Sequence, residues 1–543
     1  MRIFKIDSQN STAKRMSSQT TPSFQSRPPE ATKEDLKTID EQYKKISIYS
    51  LMGNHLYWQS HTLDGVRNKK NIEELSEASQ EIGGVCHNLL VDPKFVKAIS
   101  NLHNDDEDLS IRQKATVKLL YKDVNESLKL TENQIKTSQK LEDNSYMAWE
   151  DLKPKADFAG VLPDLKAMLD NKKELKSIVA GHEATYDDYL DDYVPGWTTK
   201  DIDPILNDLG DKLTPVLKKV QAKIAEDPSI NELPFLKNPV SQKTIDVFVD
   251  RVAKDMGFDF ERGRISKTEH PFMATMNGSY DTRFCVEKPK ENPTIADFLD
   301  TATSAIHECG HALVEQNMPE SLHNTPLNDF PMDLHESQSR LWENIIGRSK
   351  EFWQHYLPVL KEIDPKAFED VTADDLYRGV NLAKQNPIRI QGDELSYNLH
   401  ILQRYNLEKE FVNNKDFDFK TLPEKWNKES EKLLGVTPKN NTEGVMQDVH
   451  WYDGLVGYFP SYSLGSLAYP QFYNAMKKSM PDLEEKISKG EFKPITKWLT
   501  ENVYKDGKTY SSKEIIEKAT GEPLNSKYFT DYITKKYSEI YNV

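Results

Sequence analysis

The chain runs to 543 residues, 37% hydrophobic and 29% charged, long enough to bury a large core without covalent staples. With 87 acidic against 71 basic side chains its formal net charge is −16, and its pI of about 5.4 excludes the basic footprint of a general nucleic-acid binder. A mean hydropathy of −0.70, with no run near the ~20 apolar residues that a membrane span needs, excludes an integral membrane protein. Cys86, Cys285 and Cys309 offer no disulfide framework, which fits a reducing, cytoplasmic setting. Only 23 glycines and little apolar alternation point to an all-α, mainly helical fold rather than an all-β or doubly wound one.

Residues 1–33 are rich in Ser, Thr, Gln and Pro and are expected to form a disordered tail. Arg2, Lys5, Lys14, Arg15 and Arg27 against the single acid Asp7 also fit an organelle leader, mitochondrial or other; the lack of an apolar core speaks against secretion. Residues 34–543 are expected to form one large body, with an N-terminal helical part to 240 and a catalytic part from 241. In the first part, IEELSEASQEIGGV and IRQKATVKLLYKDV carry the apolar stripe of amphipathic helices. Pro195-Gly196 after YDDYLDDYV predicts a helix stop, and the acidic run there reads as a solvated helix end, with cation binding as the alternative. Residues 268–288 break the rhythm: two short β-like runs flank Asn277-Gly278, predicting a small inserted sheet near the active site. Helices resume at Thr294.

Thr294, with Asp297 three residues on, predicts a capped helix whose stripe is Ile295, Phe298, Ala302, Ala305, Ile306, Cys309 and Leu313. This helix carries His307-Glu308-Cys309-Gly310-His311. Residues four apart lie one turn apart on one face, so both imidazoles can meet a single divalent cation, Zn²⁺ by ligand preference. Co²⁺ and Mn²⁺ remain open, because availability often decides. Glu308 is offset around the helix, where it can take a proton from water beside the ion. Glu336, in His335-Glu336-Ser337-Gln338, is the candidate third ligand; a solvated surface Glu is its bland alternative. Cys309 falls on the apolar side and reads as an inert buried thiol. Asp448 reads as a carboxylate that orients a ligand histidine.

Six ordered motifs carry a resemblance: His270-Pro271-Phe272, Asp281-Thr282-Arg283, His307–His311, His335–Gln338, Ile388–Asp393 and Gly444–Trp451. The stretch Gly457–Gly465 adds a seventh. In these the chain resembles the carboxypeptidase Taq (M32) family of zinc metallocarboxypeptidases, over roughly residues 34–543. Cys285, Gly392 and the stretch Trp58-Gln59-Ser60 depart from the family pattern. They bear on the substrate pocket rather than on the ligands or the base. The resemblance implies a zincin-like, deep-cleft helical body, a homodimer, and broad-specificity removal of residues from the free C-terminus of peptides. It further implies that Arg389 grips the substrate carboxylate, with Arg283 as rival, that His270 lines the pocket, and that His450 or Tyr462 donates to the oxyanion. Two alternatives stay open: an endo-acting or dipeptidyl helical oligopeptidase, and a peptide-binding protein that has lost catalysis.

Overall fold

The computed structural model describes residues 29–543 apart from 63, 67, 105 and 106, so residues 1–28 of the expected tail lie outside the described residues. The first helix, Pro29–His61, begins ahead of Glu34, and residues 29–33 are therefore helical rather than part of a tail. Proline is tolerated at a first helical position because its missing N–H would have no partner there. Helices Lys69–Leu90, Pro93–Asn104 and Ile111–Lys129 follow. Ile39, Ile46, Phe95, Ile99, Leu102, Val117 and Leu120 form a small core of their own inside this group. A far larger core runs from Phe158 to Tyr541. No described helix is long and apolar enough to cross a membrane.

The expected stop at Pro195-Gly196 arrives early. The helix Tyr186–Leu190 ends five residues before Pro195, and turns carry the chain onward. The acidic run is occupied by the protein itself. Asp191 pairs with Lys122 and Asp192 with Lys176, both at 2.6 Å, while Asp188 caps Thr185 and Asp187 accepts from the Thr199 amide. Those bonds take up the carboxylates that a bound cation would need, while Asp191 and Asp192 stay open to solvent.

The inserted sheet has three strands, β1 (Ile265–Thr268), β2 (Met273–Thr275) and β3 (Thr282–Glu287), in the order β1-β3-β2. β2 and β3 form the expected antiparallel hairpin around Asn277-Gly278, with Met273 opposite Phe284. β1, outside the predicted pair, lies parallel to β3 with Ile265 opposite Phe284. The central β3 packs against the helix Ile295–Gln316. Trp58 near the end of the first helix is fully buried against Ala274, Met276 and Cys285, docking the N-terminal helices onto the sheet.

Candidate metal centre

Helix Ile295–Gln316 starts with the predicted cap: the Thr294 side chain accepts from the Asp297 amide, and the Asp297 carboxylate accepts from the Thr294 amide. The reciprocal bonds satisfy two end donors and fix the register of the helix. Helix Met332–Arg340 crosses it at very close range. A Cβ on Gly310 would lie 2.8 Å from the Ser339 Cα, and a Cβ on Gly465, in the helix Phe459–Ser479, would lie 2.4 Å from the Asp333 carbonyl oxygen. The helix that carries Glu336 is thus held between two glycines.

That approach brings His307, His311 and Glu336 together, with donor atoms within 4.8 Å of one another. Glu336 Oε2 stands 3.7 Å from His307 Nε2 and 3.4 Å from His311 Nε2. Tetrahedral ligands at 2.0–2.1 Å from Zn²⁺ sit about 3.4 Å apart, so the donor set fits a single divalent ion and leaves a coordination position open. The other oxygen, Glu336 Oε1, accepts from Arg340 Nε at 2.8 Å. Burial works against this carboxylate, but Arg340 and the two imidazoles outweigh it and hold its pKa below the ordinary range.

Each imidazole is also gripped on its far side. His307 Nδ1 lies 2.8 Å from Glu343 Oε2, and Glu343 is bound in turn by Arg340 and by Arg348. A π-helical turn, Leu341–Gly347, carries Glu343. His311 Nδ1 lies 2.6 Å from His335 Nδ1, and His335 Nε2 lies 3.1 Å from Glu315 Oε1. Burial, reinforced by the neighbouring imidazoles, holds His311 down to about 3, so its ring stays neutral. Glu308 is buried between the two histidines in sequence. Burial, with Glu336 and Glu343 opposing the pull of His307, lifts its carboxyl to about 7. Cys309 is a fully buried thiol pushed far up by burial alone.

Asp448 has a different place from the one expected: it orients no histidine of the triad. Its Oδ1 accepts from Arg389 Nε and Nη2, and its Oδ2 accepts from Arg404 Nε at 2.6 Å. Arg404 is wholly buried and spends its remaining donors on Gln447 and the His400 carbonyl. Arg389 turns its Nη1 to the Tyr397 hydroxyl at 3.1 Å and lies 5.3 Å from the Tyr462 ring. Arg340, which binds Glu336, lies 4.9 Å from the same Tyr397 ring, so Tyr397 touches both Arg389 and the arginine that holds the triad carboxylate. Tyr462 Oη is 3.5 Å from His450 Nε2; burial brings His450 down to about 4, and its buried Nδ1 has no hydrogen-bond partner. Arg283 uses both arms of its fork on Asp281, at 2.8 and 2.6 Å, beside the small sheet. His270 is exposed on the loop between β1 and β2.

Sequence reasoning passed over Arg340, Glu343, His335, Glu315 and Tyr397. The first two were signalled: Glu336, Arg340 and Glu343 are spaced i, i+4, i+7, one helical face. Glu315 likewise stands one turn beyond His311.

A mainly helical body, two imidazoles one turn apart, a carboxylate from a following helix and a buried acid beside them define a metal-dependent hydrolase of the zincin-like class. The Carboxypeptidase Taq (M32) metallopeptidase family model matches residues 38–537, and the chain belongs to that family. Carboxypeptidase 1 of Bacillus subtilis (strain 168) is 36% identical over 513 residues, 93% of this chain and 99% of its own length. Thermostable carboxypeptidase 1 of Pyrococcus furiosus is 34% identical over 506 residues, with 93% and 98% covered. The crystal structure of the M32 carboxypeptidase from Deinococcus radiodurans R1 superposes with a TM-score of 0.86 at 30% identity, covering 94% of this chain and 100% of that one. The family makes the protein a metallocarboxypeptidase, a hydrolase of peptides that requires a divalent metal.

Proposed function

We propose that the protein releases single residues from the free C-terminus of peptides, with Zn²⁺ as its ion and Glu308 as its general base. The observation that carries this is the convergence of His307 Nε2, His311 Nε2 and Glu336 Oε2 beside a buried Glu308. Co²⁺ and Mn²⁺ suit the same donors. When bound, the cation supplies Lewis-acid polarisation of the scissile carbonyl and acidifies water.

The chain's own groups supply the rest. A Glu308 carboxyl near 7 is matched to taking a proton from the attacking water and returning it to the leaving amine. His450, neutral and accepting from Tyr462 through Nε2, has its Nδ1–H left to donate to the developing oxyanion; the Tyr462 hydroxyl, if turned from His450, is the alternative donor. Arg389, held as a cation by Tyr397 and Asp448 against its burial, offers the planar donors that a terminal carboxylate needs. Arg283 stays the rival, since Asp281 takes its Nε and Nη2 as Asp448 takes those of Arg389. His270, exposed on its loop, serves the mouth of the pocket. Specificity is broad on this account, since the assigned groups hold carboxylate and backbone rather than a particular side chain. Three free, buried cysteines accord with a cytoplasmic setting, and the family resemblance adds a homodimer, which sedimentation checks.

Mass spectrometry of an incubated peptide tests the proposal, run with and without chelator and against a C-terminally amidated twin. Stepwise shortening of the free acid alone, lost with chelator and restored by metal add-back, is the expected result. Internal fragments from both peptides would establish endo-cleavage instead, and an unaltered peptide would leave only binding.

A further inference from the structure

We propose that His335 is a positioning residue for metal binding: it fixes His311 in the one tautomer that can ligate, by relaying a hydrogen bond from His311 Nδ1 to the Glu315 carboxylate. The inference rests on the metal-site proposal above. The two imidazole ligands are supported differently. His307 meets its carboxylate, Glu343, directly. Among the described residues no carboxylate bonds His311 Nδ1; Glu315 lies one turn further along its own helix, and the His335 ring fills the gap, 4.8 Å from the His311 ring.

The direction of the relay follows from proton counting. If His311 Nε2 keeps its lone pair for the ion, the ring proton must sit on Nδ1, which therefore donates. His335 Nδ1 must then accept, which leaves its own proton on Nε2. That N–H points at Glu315 Oε1, 3.1 Å away, which accepts it. Every other arrangement either puts two N–H groups face to face at 2.6 Å or places the His311 proton on the nitrogen that must bind the ion. Both supporting side chains are shielded, with 16% of His335 and 6% of Glu315 exposed, so water is a poor substitute for either. The adjacency of His335 and Glu336 gives one short helix two tasks: its Glu enters the triad and its His steers a second member.

The test uses the full chain. Apoprotein of wild type, His335→Phe and His335→Asn is titrated with Zn²⁺ against a chromophoric chelator, and the imidazole N–H signals of ¹⁵N-histidine-labelled, Zn²⁺-loaded protein are recorded. His335→Phe is expected to weaken Zn²⁺ binding about 10- to 100-fold and to remove one of two protected Nδ1–H signals. His335→Asn, whose amide oxygen can occupy the Nδ1 position, is expected to regain most of the affinity. Glu315→Met attacks the other end of the relay and should reproduce the loss if the Phe variant fails to fold. Wild-type affinity in His335→Phe or Glu315→Met, no rescue by Asn, or retention of both signals would overturn the role of His335. A wild-type chain that takes up no divalent ion would overturn the metal site as well.

Discussion

Gly310→Ala is the most direct probe of how the site is assembled. The added Cβ would stand 2.8 Å from the Ser339 Cα, 3.1 Å from the Gln338 carbonyl oxygen and 3.3 Å from the Ser339 amide nitrogen. All three are backbone atoms, so no side chain can swing aside. Restoring ordinary contact at 3.4 Å requires the Glu336 helix to retreat by about 0.6 Å. Metal–ligand distances tolerate only about ±0.2 Å, so Glu336 Oε2 leaves bonding range unless its side chain re-adjusts against Arg340. Overpacking costs about 1–3 kcal/mol, of which the better helix propensity of alanine offsets about 1 kcal/mol. The variant should therefore fold with a modest stability loss while losing Zn²⁺ affinity about 10- to 100-fold, a split visible by pairing thermal unfolding of the apoprotein with a Zn²⁺ titration. Unchanged Zn²⁺ affinity would refute the idea that Gly310 sets the distance between the two ligand-bearing helices.

Other changes address the chemistry. Glu308→Gln should retain its ion, measured by elemental analysis, while turnover falls about 10²- to 10⁴-fold; undiminished turnover would remove the base. Arg389→Ala should lower kcat/KM on free-acid peptides by the equivalent of about 1.5–3 kcal/mol, with folding intact by circular dichroism. Unaltered kinetics would move the carboxylate grip to Arg283. Glu408, buried on the helix Glu394–Asn413, accepts from Tyr186, Trp451 and the Gly457 amide, and burial, against these donors, lifts its carboxyl from 4.5 to about 7. The folded chain then holds a proton that the unfolded chain releases. The associated stability, about 3 kcal/mol, is present in full below pH 4.5 and is lost as pH rises through 7. Denaturant unfolding across that window should show wild type losing stability relative to Glu408→Gln; parallel curves would contradict the shift.

The parts of the site legible in the sequence are those written in local spacing. His307 and His311 are one turn apart on any helix, and the Thr294–Asp297 cap announces where that helix begins. Glu336 was legible through its motif and its distance along the chain. Asp448 was misplaced because a carboxylate near a histidine in sequence suggests a ligand partner, whereas the fold spends it on Arg389 and Arg404. His335 and Glu315 become partners only when two helices meet, and the glycines that let them meet give no sign of which backbone each will touch. The parallel strand β1 was invisible for a similar reason: turn chemistry marks a hairpin, but nothing local marks a strand that joins from across the sheet.

The helix Lys527–Tyr541 has a consequence for how the metal site is supported. Its Tyr532 hydroxyl donates to the carbonyl of Asn344, inside the same turn that presents Glu343 to His307, and its Lys536 closes on Glu394 beneath. The turn that holds Glu343 against His307 is thus backed by a segment 188 residues further along the chain. A lesion in that helix can therefore loosen the grip on His307 without altering any of the three donors.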